Sequence, residues 1–468
     1  LFRSGATRRA RGADGSPVSF VAARRGTDWM LREILDQGAE VGTRDRQGDT
    51  LMHVAVRHGR RELLELLWGH GADTDALNED GQTPLHVALG TGRTELIPAL
   101  LDIGASAGLA DRTGRLPVSM ALAQGDDASL HALLRTEGQT DLAGADGRAL
   151  VKMALDEREF GSARMLVDAG ASLEGFLSGA VISGDDELFD FLMDSGVDPN
   201  EGGDKPPLLD AVRLGNEHMV QVLLETGADP KVVGAEGQSA FHMAMARDLT
   251  ESVRLLLERG ADANEAFKYP ARDDFVALVK SEGKIKWFLK KDRGVTPLMM
   301  AADRGNLALA RVLLKHGAKT GVWTRKYRHW PINFASRRDD VKLMQLLLKR
   351  DPDKKGRTVK VDLSRQRAWV YEVDGKVLLE TAVSTGKKNY RTRTGEFVIT
   401  NKYRSWTSTV YRGASMPYFQ RLSCGDFGFH QGYCPGYAAS HGCIRVPSGN
   451  ARKLYSLTKA GDRVTIME

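Results

Sequence analysis

The sequence predicts a multidomain α+β chain, an α-helical solenoid of short repeats followed by a small β-rich domain. Three observations lead there. The segment NEDGQTPLHVALGTGRTELIPALLDIGASAG recurs in related form along most of the chain, and such self-similarity marks a stacked array. A charged stretch, KRDPDKKGR at 349–357, closes the array. Beyond it the apolar period changes from helical to two, the pattern of strands. The expected domains are a basic tail at 1–15, repeats over 16–355 with an insertion near 267–291, and a terminal domain at 356–468.

The repeats come first. Gly38, Gly71 and Gly104 end three successive units at intervals of 33, and Gly227 and Gly260 are again 33 apart. Within one unit Leu85, Val87, Ala88, Leu96, Ile97, Leu100 and Leu101 fall on two short helical faces. A helix pair this short cannot bury its own apolar surface and must stack on its neighbours. The glycine after the second helix suits a left-handed cap, and Asp80-Gly81 suits the turn. From Gly170 to Gly196 the interval shrinks to 26, and from Gly260 to Gly317 it widens to 57. The second irregularity holds FKYPARDDFVALVKSEGKIKWFLKK, read as a helical insertion with a basic end. His53, His86 and His242 occupy equivalent positions and read as hydrogen-bonding groups within the repeat. The period and the T-P-L-H-x-A run resemble the ankyrin repeat, with nine or ten units, some degenerate. That resemblance implies a protein-binding arm whose partner the sequence does not name.

Composition narrows the class of function. No run approaches the roughly 18 apolar residues of a membrane-spanning helix. A formal net charge of +5 on 468 residues is too mild to argue for nucleic acid. The charge is unevenly placed: residues 356–468 carry about ten more Lys and Arg than Asp and Glu, which suits a polyanionic substrate or surface. The opening LFRSGATRRARG has four arginines and no apolar block, so it does not read as a secretory signal. All three cysteines, Cys424, Cys434 and Cys443, lie near the C-terminus, which excludes a disulfide framework for the whole chain.

In the terminal domain Val359, Val361 and Leu363 alternate, then Trp369, Tyr371 and Val373, then Asp374-Gly375, then Val377 and Leu379. This is a strand–turn pattern with a hairpin signal. Further on, FGFHQGYCPGYAASHGCIRV places His430 13 residues before Cys443. A sulfur nucleophile calls for a nearby base, and a glycine beside it lets backbone N–H groups face a developing oxyanion. Cys424, His430, Cys434, His441 and Cys443 are also zinc-type residues, yet their spacing fits no structural zinc site. Cys424 and Cys434 read either as a disulfide pair in an oxidising compartment or as two buried thiols.

S-H-G-C-I-R after an upstream His resembles the L,D-transpeptidase (YkuD-type) catalytic domain. VDLSRQRAWVYEVDGKVLLETAVSTG resembles that family's opening hairpins, TGEFVITNKY its T-G-x-F strand, and MPYFQRLS the segment leading to the first His. By that resemblance Cys443 is the nucleophile and His430 its base, and the backbone of His441 and Gly442 lines the oxyanion hole with the Cys443 N–H. Ser440 matches the Ser/Thr position of the motif, Arg445 braces the site or contacts a substrate carboxylate, and Tyr418 lines the groove or packs. The resemblance further implies peptidoglycan stem peptides as substrate, loss of a terminal D-alanine, 3→3 cross-links, trapping by carbapenems, no metal or organic cofactor, and a bacterial envelope location whose export signal this chain does not display. Other acceptors (a protein amine, a free D-amino acid or water) stay open, as does a scaffold that merely binds cell wall. Arg393 stands where many relatives have Pro before Thr-Gly, and the stretch between His430 and Ser440 is short.

Overall fold

The structure is a computed structural model that describes residues 11–12, 15–25, 27–136, 142–203, 205–234, 237–409 and 413–468. The expected basic tail lies mostly outside the described residues. The chain divides into two compact units, one of 1–177 with 187–197 and the other of 178–186 with 198–468.

Both units begin as helix pairs. Among the described residues ten pairs occupy the repeat positions, from Val18–Arg25 with Asp28–Asp36 to Pro331–Ser336 with Val341–Leu347. The insertion folds as two more short helices, Asp273–Leu278 and Ile285–Lys291. The repeat chemistry sets their ends. Pro84 opens the helix Pro84–Gly90 behind the Thr83 cap, because a first-turn proline gives up no needed hydrogen bond. Gly38, Gly71 and Gly104 adopt φ of +83°, +83° and +92°, a conformation that costs any residue with a Cβ.

The three repeat histidines are joints between units. His53 is buried, with Nε2 on the Gln82 carbonyl at 2.9 Å and Nδ1 against Thr50 Oγ1 at 2.9 Å. His86 reaches the Arg115 carbonyl at 3.0 Å, and His242 the Glu265 carbonyl at 3.0 Å. With Nε2–H donating to a carbonyl, Nδ1 of His53 accepts from the Thr50 backbone N–H at 3.2 Å. A proton there would oppose that donor. Burial holds all three histidines below the ordinary value of 6.5. The unfolded chain therefore binds more protons below pH 6.5, so stability is full above that pH and is lost as pH falls through the window beneath it. Thermal melts from pH 7.5 to 5 should show a falling midpoint, and replacing His53 and His86 by Gln should flatten that fall.

The terminal domain is one eight-stranded sheet in the order β3-β2-β1-β8-β4-β5-β6-β7. Its strands are β1 (Thr358–Asp362), β2 (Arg367–Tyr371), β3 (Val377–Ala382), β4 (Gly395–Tyr403), β5 (Phe419–Leu422), β6 (Gly428–Gln431), β7 (Ile444–Val446) and β8 (Arg463–Met467). The helix Ser448–Leu457 packs against β3 and β6. The core gathers Val359, Val361, Phe397, Ile399, Ile444 and Val464 with the sulfur residue Cys443. Strand β2 keeps the period of two that the alternation predicts, and its pairing decides which face is buried. Val359 pairs with Val370 and Val361 with Ala368, so Ala368 and Val370 turn to the core, while Trp369 and Tyr371 stay half-buried on the other side.

The charged stretch 349–357 is not a free tether. Gln345, in the last repeat, donates from Nε2 to the Gly461 carbonyl at 2.9 Å and accepts from Arg463 Nε at 3.3 Å. Arg350 Nε reaches the Ala460 carbonyl at 3.2 Å and its guanidinium sits 3.5 Å from the buried Asp462. Ser336 donates to the Ser423 carbonyl. Arg393 pairs with Asp339 of the last repeat at 3.5 Å and lies over the Phe397 ring. Excising 356–468 would strip Asp462 and Gly461 of these partners. That fragment should melt below one that begins near residue 330, by differential scanning calorimetry.

Candidate active site

Strands β6 and β7 run parallel, with His430 opposite Arg445 and Phe429 opposite Ile444. That register sets Cys443, one residue before β7, level with Gly428. Side chains two apart share a face, so Cys443, Arg445 and His430 project to the same side of adjacent strands. Close packing makes this possible at two glycines. A Cβ on Gly428 would lie 2.0 Å from the Gln420 carbonyl oxygen, and one on Gly432 would lie 2.9 Å from Arg445 Cγ.

His430 is 9% exposed and Cys443 5%. His430 Nδ1 bonds the Gln431 carbonyl at 2.8 Å, so Nδ1 carries the hydrogen and Nε2 keeps its lone pair. Burial lowers the His430 pKa below 6.5, opposed by the Gln431 carbonyl and reinforced by Arg445. Burial pushes the Cys443 thiol up, against the Gly428 backbone hydrogen bond and the Arg445 charge. The resting pair is therefore a neutral thiol and a neutral imidazole. Desolvation here outweighs the neighbouring cation.

The turn before Cys443 is held from below. Ser440 is buried, donates from Oγ to the Cys443 carbonyl at 2.5 Å and accepts from the Gly442 N–H at 3.1 Å. Gly442 sits at φ +109°. Its N–H is thus engaged by Ser440, whereas the Cys443 N–H meets no acceptor among the described residues. The exposed His441 ring lies edge-on to Tyr390, with centroids 4.7 Å apart.

Sequence reasoning missed the loop that clamps this turn. Thr392 Oγ1 donates to the Gly442 carbonyl at 2.9 Å and accepts from the Gly386 N–H at 2.8 Å. Ser384 exchanges backbone hydrogen bonds with Arg445 at 2.9 and 3.0 Å. No pattern in 384–392 announces either contact. Tyr418, at φ +56°, packs its half-buried ring 5.6 Å from Tyr455, the packing alternative of the two expected for it. Arg445 makes no ion pair among the described residues.

Cys424, Cys434 and Cys443 are all free thiols. Cys424 sits in the β5–β6 turn at φ +56°, and Cys434 Sγ points at the Arg445 carbonyl, 3.3 Å away. Among the described residues no three His, Cys, Asp or Glu side chains gather as metal ligands. No described helix is long and apolar enough to cross a membrane.

His430 on β6 and Cys443, just before the parallel strand β7, are both buried beside a clamped S-H-G-C turn. Residues 356–466 match the L,D-transpeptidase catalytic domain, and residues 19–111, 177–266 and 273–358 match ankyrin repeats (3 copies). The chain belongs to the ankyrin-repeat proteins and carries a C-terminal L,D-transpeptidase catalytic domain. Similar solved structures include an L,D-transpeptidase from Stackebrandtia nassauensis, 31% identical, with a TM-score of 0.23 over 27% of this chain and 65% of that one. Another, from Mycobacterium smegmatis, is 25% identical, with a TM-score of 0.22 over 24% of this chain and 58% of that one. An ankyrin repeat-containing protein of Treponema pallidum (strain Nichols) is 36% identical over 89 residues, 18% of this chain and 30% of its own length. The chain thus spans less than two thirds of the length of each of these relatives. The match of residues 356–466 to the L,D-transpeptidase catalytic domain supports an L,D-transpeptidase-type function.

Proposed function

We propose that this chain is a peptidoglycan L,D-transpeptidase of the bacterial envelope, working by acyl transfer through Cys443. The observation that carries the reading is buried His430, opposite Arg445 in the β6–β7 register and so two residues along from buried Cys443, with its Nδ1 committed to the Gln431 carbonyl. Only Nε2 is left to take a proton. As the thiol attacks the stem-peptide carbonyl carbon, its proton passes to His430 Nε2, and the imidazolium keeps its Nδ1 hydrogen bond. The oxyanion forms against the Cys443 N–H. Collapse breaks the C–N bond, and His430 returns the proton to the departing D-alanine amine. An acceptor amine then attacks the thioester, His430 takes its proton, and the imidazolium returns that proton to the departing Cys443 thiolate.

Arg445, without an internal carboxylate, is positioned to hold one on the stem peptide. Ser440 and Thr392 keep the turn in place, and the array serves as a protein-binding arm. The test is muropeptide analysis after incubating the purified chain with tetrapeptide stems. The expected products are free D-alanine and 3→3 cross-linked dimers. Stems returned unchanged by a folded chain would reject the reading, and tripeptides alone would reassign the acceptor to water.

A further inference from the structure

A second recess lies away from the catalytic turn, between the last repeat and the β1–β2 hairpin. It is an open cleft of about 1010 Å³ whose walls come from the charged stretch 349–357, β1, the β2–β3 turn and the turn before β8. In the sheet order β1 and β8 are separated from β7 by β4, β5 and β6, roughly 20 Å at the usual strand spacing.

The charges of this cleft do not cancel. Each of its carboxylates is already matched. Asp351 and Asp353 face Arg311 at 3.9 and 2.6 Å, Glu372 holds Arg357 at 2.7 Å, and Asp462 lies 3.5 Å from Arg350. Arg463 is taken up by Gln345. Five lysines remain, Lys349, Lys354, Lys355, Lys360 and Lys459, and none makes an ion pair among the described residues. Like charges gathered in one concavity repel, and an anionic ligand relieves that repulsion.

The kind of anion follows from which cations are unused. Arg350 and Arg357 already face Asp462 and Glu372, and Arg463 gives its Nε to Gln345, so the arginine forks that grip carboxylates in two-point fashion are engaged in the wall. The unused groups are ammonium point charges on flexible stems, suited to a chain of phosphates read without fixed geometry. The one aromatic ring in the lining, Tyr371, is covered by Lys360 Nζ at 5.4 Å, which leaves no platform for stacking bases. We propose that this cleft binds a linear, phosphate-rich polyanion without bases, such as a polyol- or sugar-phosphate polymer, across the seam between the last repeat and the catalytic domain. The proposal stands independently of the chemistry at Cys443.

The test uses the full chain and inorganic polyphosphate as probe, with fluorescence anisotropy against salt. Affinity should fall steeply with salt, as counterion release requires. The triple variant K354E/K355E/K459E should bind at least tenfold more weakly and with a shallower salt slope. The double variant K205E/K231E, at exposed lysines of the array, should bind as the parent does. Thermal melts of the three proteins should coincide, since every substituted lysine is exposed; a triple variant that melts early is replaced by K354Q/K355Q, for which the same weakening is expected. Equal affinity of parent and cleft variant would overturn the proposal. So would polyglutamate binding as tightly as polyphosphate, or single-stranded DNA binding more tightly than either.

Discussion

Replacing His430 with alanine is expected to slow acylation of Cys443 by about 10²–10⁴-fold, the usual worth of a positioned base. The reasoning rests on the resting protonation state. Burial raises the Cys443 thiol and lowers His430, so no preformed thiolate waits to react and the proton must move during attack. On the proposed reading His430 Nε2, whose lone pair is left by the Nδ1 hydrogen bond to the Gln431 carbonyl, receives it. The pH dependence carries the same signature. A His430 pKa held below 6.5 keeps the base form dominant at neutral pH, and the parent rate should fall only on the acid side of that value. In His430→Ala that acid limb should vanish, leaving a slow rate that climbs with pH as the thiol ionises. The check is a pH series of single-turnover rates by mass spectrometry, beside a melt to confirm the fold. An unchanged acid limb in the variant would assign the base elsewhere.

Gly386→Ala should be nearly as damaging, although the residue touches no substrate. A Cβ there would stand 1.8 Å from the Tyr390 carbonyl oxygen and 2.7 Å from the Thr392 backbone nitrogen. Both are backbone atoms, so the loop itself must move. Thr392 then loses its place between the Gly386 N–H and the Gly442 carbonyl, and the turn that presents Cys443 loses its clamp. Displacement of about 1 Å at a reacting group can cost on the order of 10²-fold. The expected result is a roughly 10²-fold slower acylation, with a stability loss of about 1–3 kcal/mol from overpacking. Thr392→Val should share part of the rate loss with little change in stability. A Gly386→Ala protein as fast as the parent would show that the loop does not position the turn.

What could be read in advance tracks locality. Gly38, Gly71 and Gly104 announce the repeat because each helix pair needs its own left-handed cap, and the cap returns with every unit. His430, Ser440 and Cys443 were visible because the chemistry packs them into one short stretch. The face of β2 was not, since Trp369 and Ala368 are both admissible core residues and only pairing with β1 decides between them. Nor was the seam. Gln345 meets Gly461 across 116 residues, and nothing in KRDPDKKGR distinguishes a tether from a wall. The engagement of the Gly442 N–H by Ser440 was hidden for a related reason. Adjacent residues advertise a turn, while the hydrogen that remains available depends on how the turn closes.

The proposed chemistry is covalent and runs through a single sulfur, which an adduct locates directly. The full chain is incubated with a tetrapeptide stem or a carbapenem, and the adduct is located by intact mass followed by peptide mapping. The account predicts one adduct, on Cys443, lost in Cys443→Ala and retained when Cys424 and Cys434 are replaced by serine. An adduct on Cys424 or Cys434, or undiminished turnover by Cys443→Ala, would contradict it.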